Sequence, residues 1–421
     1  MSCLLWEDSF YENGESIANR IASLVPKVDV EKVSAMAVDS RERMKLRHAP
    51  LLVVREMARH ASHRGLVAKT LSSVIQRADE LSEFLAIYWK DGRCKVSAQV
   101  KKGLALAFQK FNSYQLAKYN RDGSVKLRDA LFICHAKPKD AEQAGVWKQL
   151  ADGTLPVPDT WEVSLSAGKN KKETWERLLS EKKLGGLALL RNLRNMEESG
   201  VPHATVRYAL ANMNTDRILP FRFLSASVHA PKMERDLEAA MFRSVSQEKK
   251  LPGKTVVIVD VSGSMYHYTI SAKSTINRAK AACSLAAIAR EVCEEPVIFA
   301  TGGNDRLFKH ATQEVPARRG IALVDAIYGL CSPLGGGGIF LNQVCEFVRE
   351  KEKDADRTIV ITDEQDCSSG SADAPDKAVP LGLGYMLNVN TCKNGIGYKP
   401  HWTHIDGWSE SVLDYIIESE R

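Results

Sequence analysis

The chain has 421 residues, of which 44% are hydrophobic and 26% charged. Such a length predicts two domains, and the ordinary composition excludes a disordered or fibrous protein. No apolar run is long enough to span a membrane, and the first residues, MSCLLWEDSF, lack the pattern of a secretion signal. Nine scattered cysteines without a Cys-x-x-Cys pair argue against a disulfide framework or a zinc ribbon. We therefore expect a cytoplasmic protein.

The net charge of +6 is unevenly distributed along the chain. Residues 1–250 contain 41 Lys and Arg against 30 Asp and Glu, a net charge of +11, whereas residues 251–421 contain 17 against 22, a net charge of −5. A basic half joined to an acidic half suggests that the first half meets a polyanion. A solvated basic surface with no partner stays an open alternative.

Residues 1–250 have the apolar spacing of amphipathic helices. Trp175, Leu178 and Leu179 recur at helical spacing, and Gly185-Gly186 separates them from a second helix. The next apolar residues fall on one face of that second helix: Leu189, Leu190, Leu193 and Met196. Similar helix–turn–helix patterns occur at 50–90, 97–119 and 125–150, with no strict period, which favours a degenerate helical repeat.

The pattern changes at the polar segment 246–254, where we place the boundary between domains 1–250 and 251–421. Beyond it, continuous apolar segments at 255–262, 296–301, 357–365 and 380–389 predict strands, and helical segments lie between them. Strands that alternate with helices predict an α/β domain with a parallel sheet covered by helices on both faces.

The first predicted strand runs into the sequence DVSGSM. Asp260 ends this strand and Asp363 ends the strand IVIT, so both carboxylates are expected at the carboxyl edge of the sheet, where open α/β sheets bind ligands. Ser262 and Ser264 add two hydroxyl groups beside Asp260. Carboxylate and hydroxyl oxygens are the ligand type that Mg²⁺ prefers. We therefore predict a metal site formed by Asp260, Ser262, Ser264 and Asp363.

This arrangement resembles the metal-ion-dependent adhesion site of von Willebrand factor A domains. That family usually supplies a further threonine ligand from a Gly-Gly-Thr loop between the two motifs. The corresponding loop here is LGGGGIFLNQ, in which Gly338 stands at the threonine position. The resemblance thus implies Mg²⁺ as the cofactor, with one ligand missing.

The basic half also contains recognisable phrases. LFICHAKPKD, KKETWERLL, LALLRNLRNM and RILPFRFLSA occur in this order before DVSGSM and VITDEQ. Together they resemble the Ro proteins, whose RNA-binding module is called TROVE, in a bacterial or phage-like version. The resemblance covers nearly the whole chain from about residue 22. It implies a ring of HEAT-like helical repeats at 1–250 and a von Willebrand factor A domain at 251–421.

The same resemblance implies a function. Members of this family bind small noncoding Y RNAs on an outer basic surface and take single-stranded 3′ ends of misfolded RNAs into the ring. They act in RNA quality control or as ribonucleoprotein scaffolds, and bacterial members are associated with a 3′→5′ exoribonuclease. The family is not known for enzymatic activity, and we expect a monomer that is not an enzyme.

Two basic clusters are candidates for RNA contacts because Lys and Arg bind phosphates. The first lies at a predicted helix end and the second at a helix entry: His135, Lys137 and Lys139, and then Lys169, Lys171, Lys172 and Arg177. Each cluster is also compatible with a solvated face. Trp161 and Trp175 are candidates for base stacking, but core packing is favoured for both. Arg191 and Asn192 are expected to have structural roles.

Two other functions stay open. The A domain alone could recruit a partner whose acidic side chain completes a Mg²⁺ shell, although the missing threonine counts against this. A metal-dependent nuclease could use Asp260, Asp363, Glu364 and Asp366, but no nucleophile and base pair accompanies them. His401 and His404 have metal-like spacing without an evident third ligand.

Overall fold

The last helix before the predicted boundary ends at Val245, and the first strand begins at Leu251. The computed structural model describes residues 14–166, 170–216, 218–245, 250–270, 276–368, 374–389, 401–406 and 412–420. Internal contacts divide the chain into two units, residues 13–170 and residues 171–421. The second unit thus contains the sheet and also the five helices that precede it.

Ten α-helices form the described part of the first unit. They are α1 Gly14–Leu24, α2 Val30–Glu42, α3 His48–Arg59, α4 Arg64–Val74, α5 Asp79–Tyr88, α6 Ala98–Phe108, α7 Ser113–Tyr119, α8 Leu127–Cys134, α9 Ala141–Asp152 and α10 Trp161–Ser166. The apolar faces of α1 to α9 share one core that extends from Val25 to Leu150. The predicted helix–turn–helix organisation at 50–90, 97–119 and 125–150 is confirmed.

Local sequence signals fix where these helices begin. The Ser97 hydroxyl accepts a hydrogen bond from the Val100 amide at the start of α6, and Asp140 accepts one from the Gln143 amide at the start of α9. Side chains of this kind satisfy amide groups that have no partner within the helix. Gly103 lets α6 approach α4, because a Cβ at this position would lie 2.9 Å from the Leu71 Cβ.

Five helices begin the second unit: α11 Lys171–Ser180, α12 Gly186–Glu198, α13 His203–Asn212, α14 Phe221–His229 and α15 Glu234–Val245. The four residues predicted to share one face of the second helix are all buried in α12. Trp175 is fully buried in α11, and its indole N–H donates to the Asn195 Oδ1 at 3.0 Å. The interpretation of Trp175 as a core residue is confirmed.

The rest of the second unit alternates strands and helices. The strands are β1 Leu251–Asp260, β2 Cys293–Asn304, β3 Lys309–Glu314, β4 Arg357–Thr362, β5 Leu383–Asn388 and β6 Trp402–Asp406. The helices are α16 Gly263–His267, α17 Arg278–Val292, α18 Gly320–Tyr328, α19 Leu341–Lys351 and α20 Val412–Ser419. We call residues 251–421 the A-type domain.

The six strands form one sheet in the order β3-β2-β1-β4-β5-β6. All neighbouring strands are parallel except β3, which pairs antiparallel with β2 at one edge. The expectation of a purely parallel sheet is therefore corrected to a mixed sheet. The central strands match their apolar sequences, since all six residues of β4 and residues 255–260 of β1 are buried.

Within the described ranges, no helix has both the length and the apolar character that a bilayer crossing requires. Seven cysteines in these ranges are free thiols, and five of them are buried. Burial raises the pKa of the Cys345 thiol to about 12. Such thiols stay protonated at neutral pH and have low reactivity.

Substitution of a glycine in α6 tests the close approach of α4 and α6. Gly103→Ala should lower the free energy of unfolding by about 1–3 kcal/mol, because the new methyl group meets Leu71 and the Ala68 backbone. Gly145→Ala in α9 is the matched control. Its methyl group meets nothing within 4 Å, so this change should stabilise by about 0.5–1 kcal/mol. Urea unfolding measures both, and equal effects would contradict the packing described.

Candidate functional site

Asp260 and Asp363 lie at the carboxyl edge of the sheet. Asp260 is the last residue of β1, Asp363 directly follows β4, and the two strands are parallel neighbours with Val259 opposite Ile361. Both carboxylates are buried. The predicted convergence of these two side chains therefore occurs, and the predicted serines lie with them.

A chain of hydrogen bonds joins the four predicted residues. The Ser262 amide donates to the Asp260 Oδ1 at 2.9 Å, and the Ser264 hydroxyl donates to the Asp363 Oδ1 at 3.1 Å. The two serine Oγ atoms are 3.2 Å apart. Thr362, which sequence reasoning did not identify, donates its hydroxyl to the Asp260 Oδ2 at 2.6 Å.

The electrostatics of this edge are unfavourable for two full negative charges. Burial is the main cause that raises the pKa of Asp260 to about 7, and the nearby Asp363 carboxylate raises it further. Hydrogen bonds from Thr362 and Ser262 act in the opposite direction. A positive charge beside the pair stabilises the ionised form.

Arg278 supplies such a charge. It is the first residue of α17, and its guanidinium Nη1 lies 2.7 Å from the Asp363 Oδ2, with both side chains buried. The Arg278 amide donates to the Tyr268 carbonyl at 2.9 Å, and the guanidinium stacks on the Tyr268 ring at 5.0 Å. A cation is unusual at a helix N-terminus, where the helix dipole favours negative charge. This unusual position of an arginine was the one feature of the sequence that could have pointed to Arg278.

The glycine loop between α18 and α19 leaves no room for the family's threonine. A Cβ added to Gly338 would lie 2.2 Å from the Cys367 Sγ and 3.1 Å from its Cβ. The Gly338 amide instead donates to the Asp305 Oδ1 at 2.8 Å. The loop therefore approaches the 365–367 segment through backbone alone and contributes no side-chain ligand at this position.

The residues at this edge fit a divalent cation poorly. Each of the four carboxylate oxygens of Asp260 and Asp363 already accepts a hydrogen bond from a protein group. The Arg278 guanidinium contacts Asp363, one of the two carboxylates that would face the metal. The threonine hydroxyl that adhesion sites of this type usually supply is missing, because Gly338 stands at its position. Binding of Mg²⁺ by Asp260, Ser262, Ser264 and Asp363 stays a prediction that these contacts do not favour.

The additional acidic residues of the nuclease alternative have other partners. Glu364 pairs with His404, whose Nδ1 lies 3.0 Å from the Glu364 Oε1, and Asp366 accepts hydrogen bonds from the Leu341 and Ser368 amides. Over the ranges that the structure covers, no three His, Cys, Asp or Glu side chains are grouped so that they could hold a metal. His401 is exposed, and His404 belongs to the Glu364 pair.

The first basic cluster lies at the end of α8. Arg128, Phe132 and His135 follow one another at intervals of one helical turn and are all exposed, and Lys137 and Lys139 are exposed in the loop that follows. We call these five residues the basic–aromatic patch. Phe132 is 62% exposed, and sequence reasoning missed its part in the patch because it sits in an otherwise apolar phrase.

The backbone of the patch is held in place. His135 has a left-handed conformation (φ 52°) that ends α8. The Gln109 side chain donates to the Lys137 carbonyl at 3.0 Å, and the Lys139 amide donates to the Gln143 Oε1 at 3.1 Å. These contacts present both lysines from a fixed loop rather than from a free one.

Lys171, Lys172 and Arg177 of the second basic cluster belong to the second unit. Lys169 lies outside the described residues. Lys171 is exposed, whereas Lys172 and Arg177 form ion pairs with Glu176 and Glu181 at 4.0 and 3.0 Å. Carboxylate partners one turn away reduce the charge that such a cluster offers to a phosphate.

The remaining residues considered from sequence for RNA contacts or structural roles are Trp161, Arg191 and Asn192. Trp161 is half-buried at the start of α10. Arg191 is exposed, and the buried Asn192 donates its side-chain amide to the Ala188 carbonyl of its own helix. The expected structural role of Asn192 is therefore local to α12.

The fold and the carboxyl edge define a class of protein in which helical repeats precede a von Willebrand factor A-like domain. Residues 136–321 match the family model of the TROVE domain. The chain superposes on the crystal structure of the Ro (RSR) protein of Deinococcus radiodurans with a TM-score of 0.66 and 18% identity, over 95% of this chain and 93% of that one. The predicted fold class is confirmed.

Two curated relatives extend the comparison. Telomerase protein component 1 is 36% identical over 104 residues in Mus musculus and 33% identical over 108 residues in Rattus norvegicus. These matches cover 23% and 24% of this chain and only 4% of each relative's length. The predicted resemblance to the TROVE and Ro proteins is confirmed.

The glycine loop gives a direct test of the site geometry. Gly338→Thr should lower the free energy of unfolding by about 1–3 kcal/mol, because the side chain overlaps Cys367. Gly336→Thr is the matched control, since a Cβ there meets nothing within 4 Å, and it should change stability by no more than about 0.5 kcal/mol. Calorimetry measures both. A stable Gly338→Thr variant would show that the loop accepts the missing ligand.

Proposed function

We propose that this protein binds structured noncoding RNA that carries single-stranded segments, and that the basic–aromatic patch is its RNA-binding surface. The observation that carries the proposal is the combination of exposed cations and an exposed aromatic ring at the end of α8. The net charge of +11 over residues 1–250 supports it. The RNA-binding character of the TROVE and Ro homologues supports it as well.

The lysines of the patch are available to phosphates, whereas the Arg128 Nε lies 3.7 Å from the Asp129 Oδ1. Among the described residues, no carboxylate lies within ion-pair distance of Lys137, Lys139 or His135, in contrast to Lys172 and Arg177. Release of counterions from the RNA by such cations gives affinity that falls steeply with salt. The patch therefore ranks above the second cluster as a site of phosphate contacts.

Phe132 makes the surface suited to unpaired bases. Its ring is exposed between Arg128 and His135 on one stripe, and an aromatic face stacks on any base that a single strand presents. Bases inside a duplex are not accessible for such stacking. The patch accordingly favours single-stranded segments next to a structured region over a continuous duplex.

The family resemblance makes the proposal more specific. We expect the bound RNAs to be Y-like RNAs or misfolded RNAs with single-stranded 3′ ends, and the protein to act in RNA quality control or as a ribonucleoprotein scaffold. A 3′→5′ exoribonuclease is the proposed protein partner. A monomeric, cytoplasmic, non-enzymatic protein stays the prediction made from sequence.

Substitution of the ring tests the stacking contact. Phe132→Ala should weaken binding of a hairpin RNA with a single-stranded 3′ tail by about 5- to 150-fold, because each stacked base contributes about 1–3 kcal/mol. The same change should hardly affect the blunt-ended hairpin or duplex DNA. Tyr208→Ala, at an aromatic residue that is 66% exposed elsewhere, is the control. Fluorescence anisotropy measures the affinities, and equal losses for both variants would contradict the assignment.

The lysines are tested by the salt dependence of binding. In a Lys137→Ala/Lys139→Ala double variant, the slope of log K against log salt should become shallower by about 1.4, because each single-strand phosphate contact contributes about 0.7. Lys353→Ala, an exposed lysine of the acidic half, should leave the slope unchanged. An unaltered slope in the double variant would place the phosphate contacts elsewhere.

A further inference from the structure

The carboxyl edge of the A-type domain contains two buried carboxylates that need a compensating positive charge. Two carboxylates lie side by side with almost no exposure to water, and Ser262, Ser264 and Thr362 donate hydrogen bonds but carry no charge. Buried carboxylates at this proximity need a cation to stay ionised. In metal-ion-dependent adhesion sites, a divalent ion provides that charge.

The geometry points to Arg278 as the resident cation of this edge, so that the A-type domain reaches its folded state without a divalent metal. The guanidinium holds the Asp363 Oδ2 at 2.7 Å, and the Ser264 hydroxyl holds the other oxygen of the same carboxylate. The Gln365 amide also donates to the Asp363 Oδ1, at 3.4 Å, so Asp363 has two neutral donors and one charged donor. Its place in the structure is fixed by the protein alone.

The position of Arg278 is built into the fold. Asn277 caps α17 by accepting a hydrogen bond from the Lys280 amide at 2.8 Å, and its side chain also donates to the Tyr266 carbonyl at 2.9 Å. Tyr268 accepts the Arg278 amide and lies against the guanidinium. The segment after the serines is thus tied to the start of α17, and the arginine head group is directed at Asp363.

The loop opposite supports the same assignment. Gly338 provides no hydroxyl, and the Cys367 side chain fills the space that one would occupy. The loss of a metal ligand and the presence of a buried arginine at the same edge are independent features that agree. A partner that binds this edge would therefore meet a closed ion pair and not an open metal coordination position.

Metal titration of the full-length protein tests the inference. The thermal midpoint of the wild type should be the same in EDTA and in millimolar Mg²⁺ or Mn²⁺. A bound ion at about a hundred times its Kd would raise the midpoint by several degrees. The inference is overturned if Mn²⁺ raises the wild-type midpoint in a saturable way and Ser264→Ala abolishes that rise.

A double-mutant cycle tests the role of Arg278 directly. Arg278→Met should lower the midpoint by on the order of 10 °C, because it leaves Asp363 buried without a counter-charge. In a D363N background the same change should have a much smaller effect. Arg290→Met, at the far end of α17, is the matched control and should have equal effects in both backgrounds. Equal effects of Arg278→Met in the two backgrounds would overturn the inference.

Discussion

Asp260 and Asp363 meet because β1 and β4 are adjacent parallel strands that end at the same edge. The buried ion pair between Asp363 and Arg278 then decides the character of that edge. It joins β4 to the first turn of α17, and α17 packs on the central strands with nearly its whole surface buried. Removal of either partner leaves a buried charge, which usually costs about 3–5 kcal/mol. The pair is therefore a structural constraint on the centre of the A-type domain.

The basic–aromatic patch differs from this buried ion pair in that its charges are exposed to solvent. Its charges stay exposed, its lysines lack carboxylate neighbours within the described part of the chain, and two glutamines hold its loop. Exposed, unpaired cations contribute little to folding, but they contribute strongly to binding of a polyanion. In the A-type domain a positive charge neutralises a buried carboxylate of the same domain, whereas in the helical part positive charges are available for a ligand.

Much of this arrangement could be predicted from sequence. The apolar runs of β1 and β4 and the helical spacing of Leu189, Leu190, Leu193 and Met196 are strong periodic signals, and the structure confirms them. β3 was missed because the polar sequence KHATQE forms a partly exposed edge strand without an apolar run. Its antiparallel pairing with β2 makes the sheet mixed.

The candidate sites were predictable to a lesser extent. The strand ends brought Asp260 and Asp363 together as expected, but Arg278 pairs with a residue 85 positions away, and local patterns carry no information on such a contact. The lack of room at Gly338 depends on Cys367, which approaches only in the folded chain. Phe132 resembled a core residue by type, and only its exposure in α8 shows its position in the patch.

Ultraviolet crosslinking of a hairpin RNA with a single-stranded 3′ tail to the full-length protein would test directly whether the basic–aromatic patch binds RNA. Mass spectrometry would locate the crosslinked residues in parallel samples with Mg²⁺ and with EDTA. We expect crosslinks concentrated within residues 127–140, around Phe132 and His135, with the same pattern in both samples. Crosslinks concentrated at residues 262–268 or 335–366, and lost in EDTA, would contradict it and would identify a metal-dependent RNA site in the A-type domain.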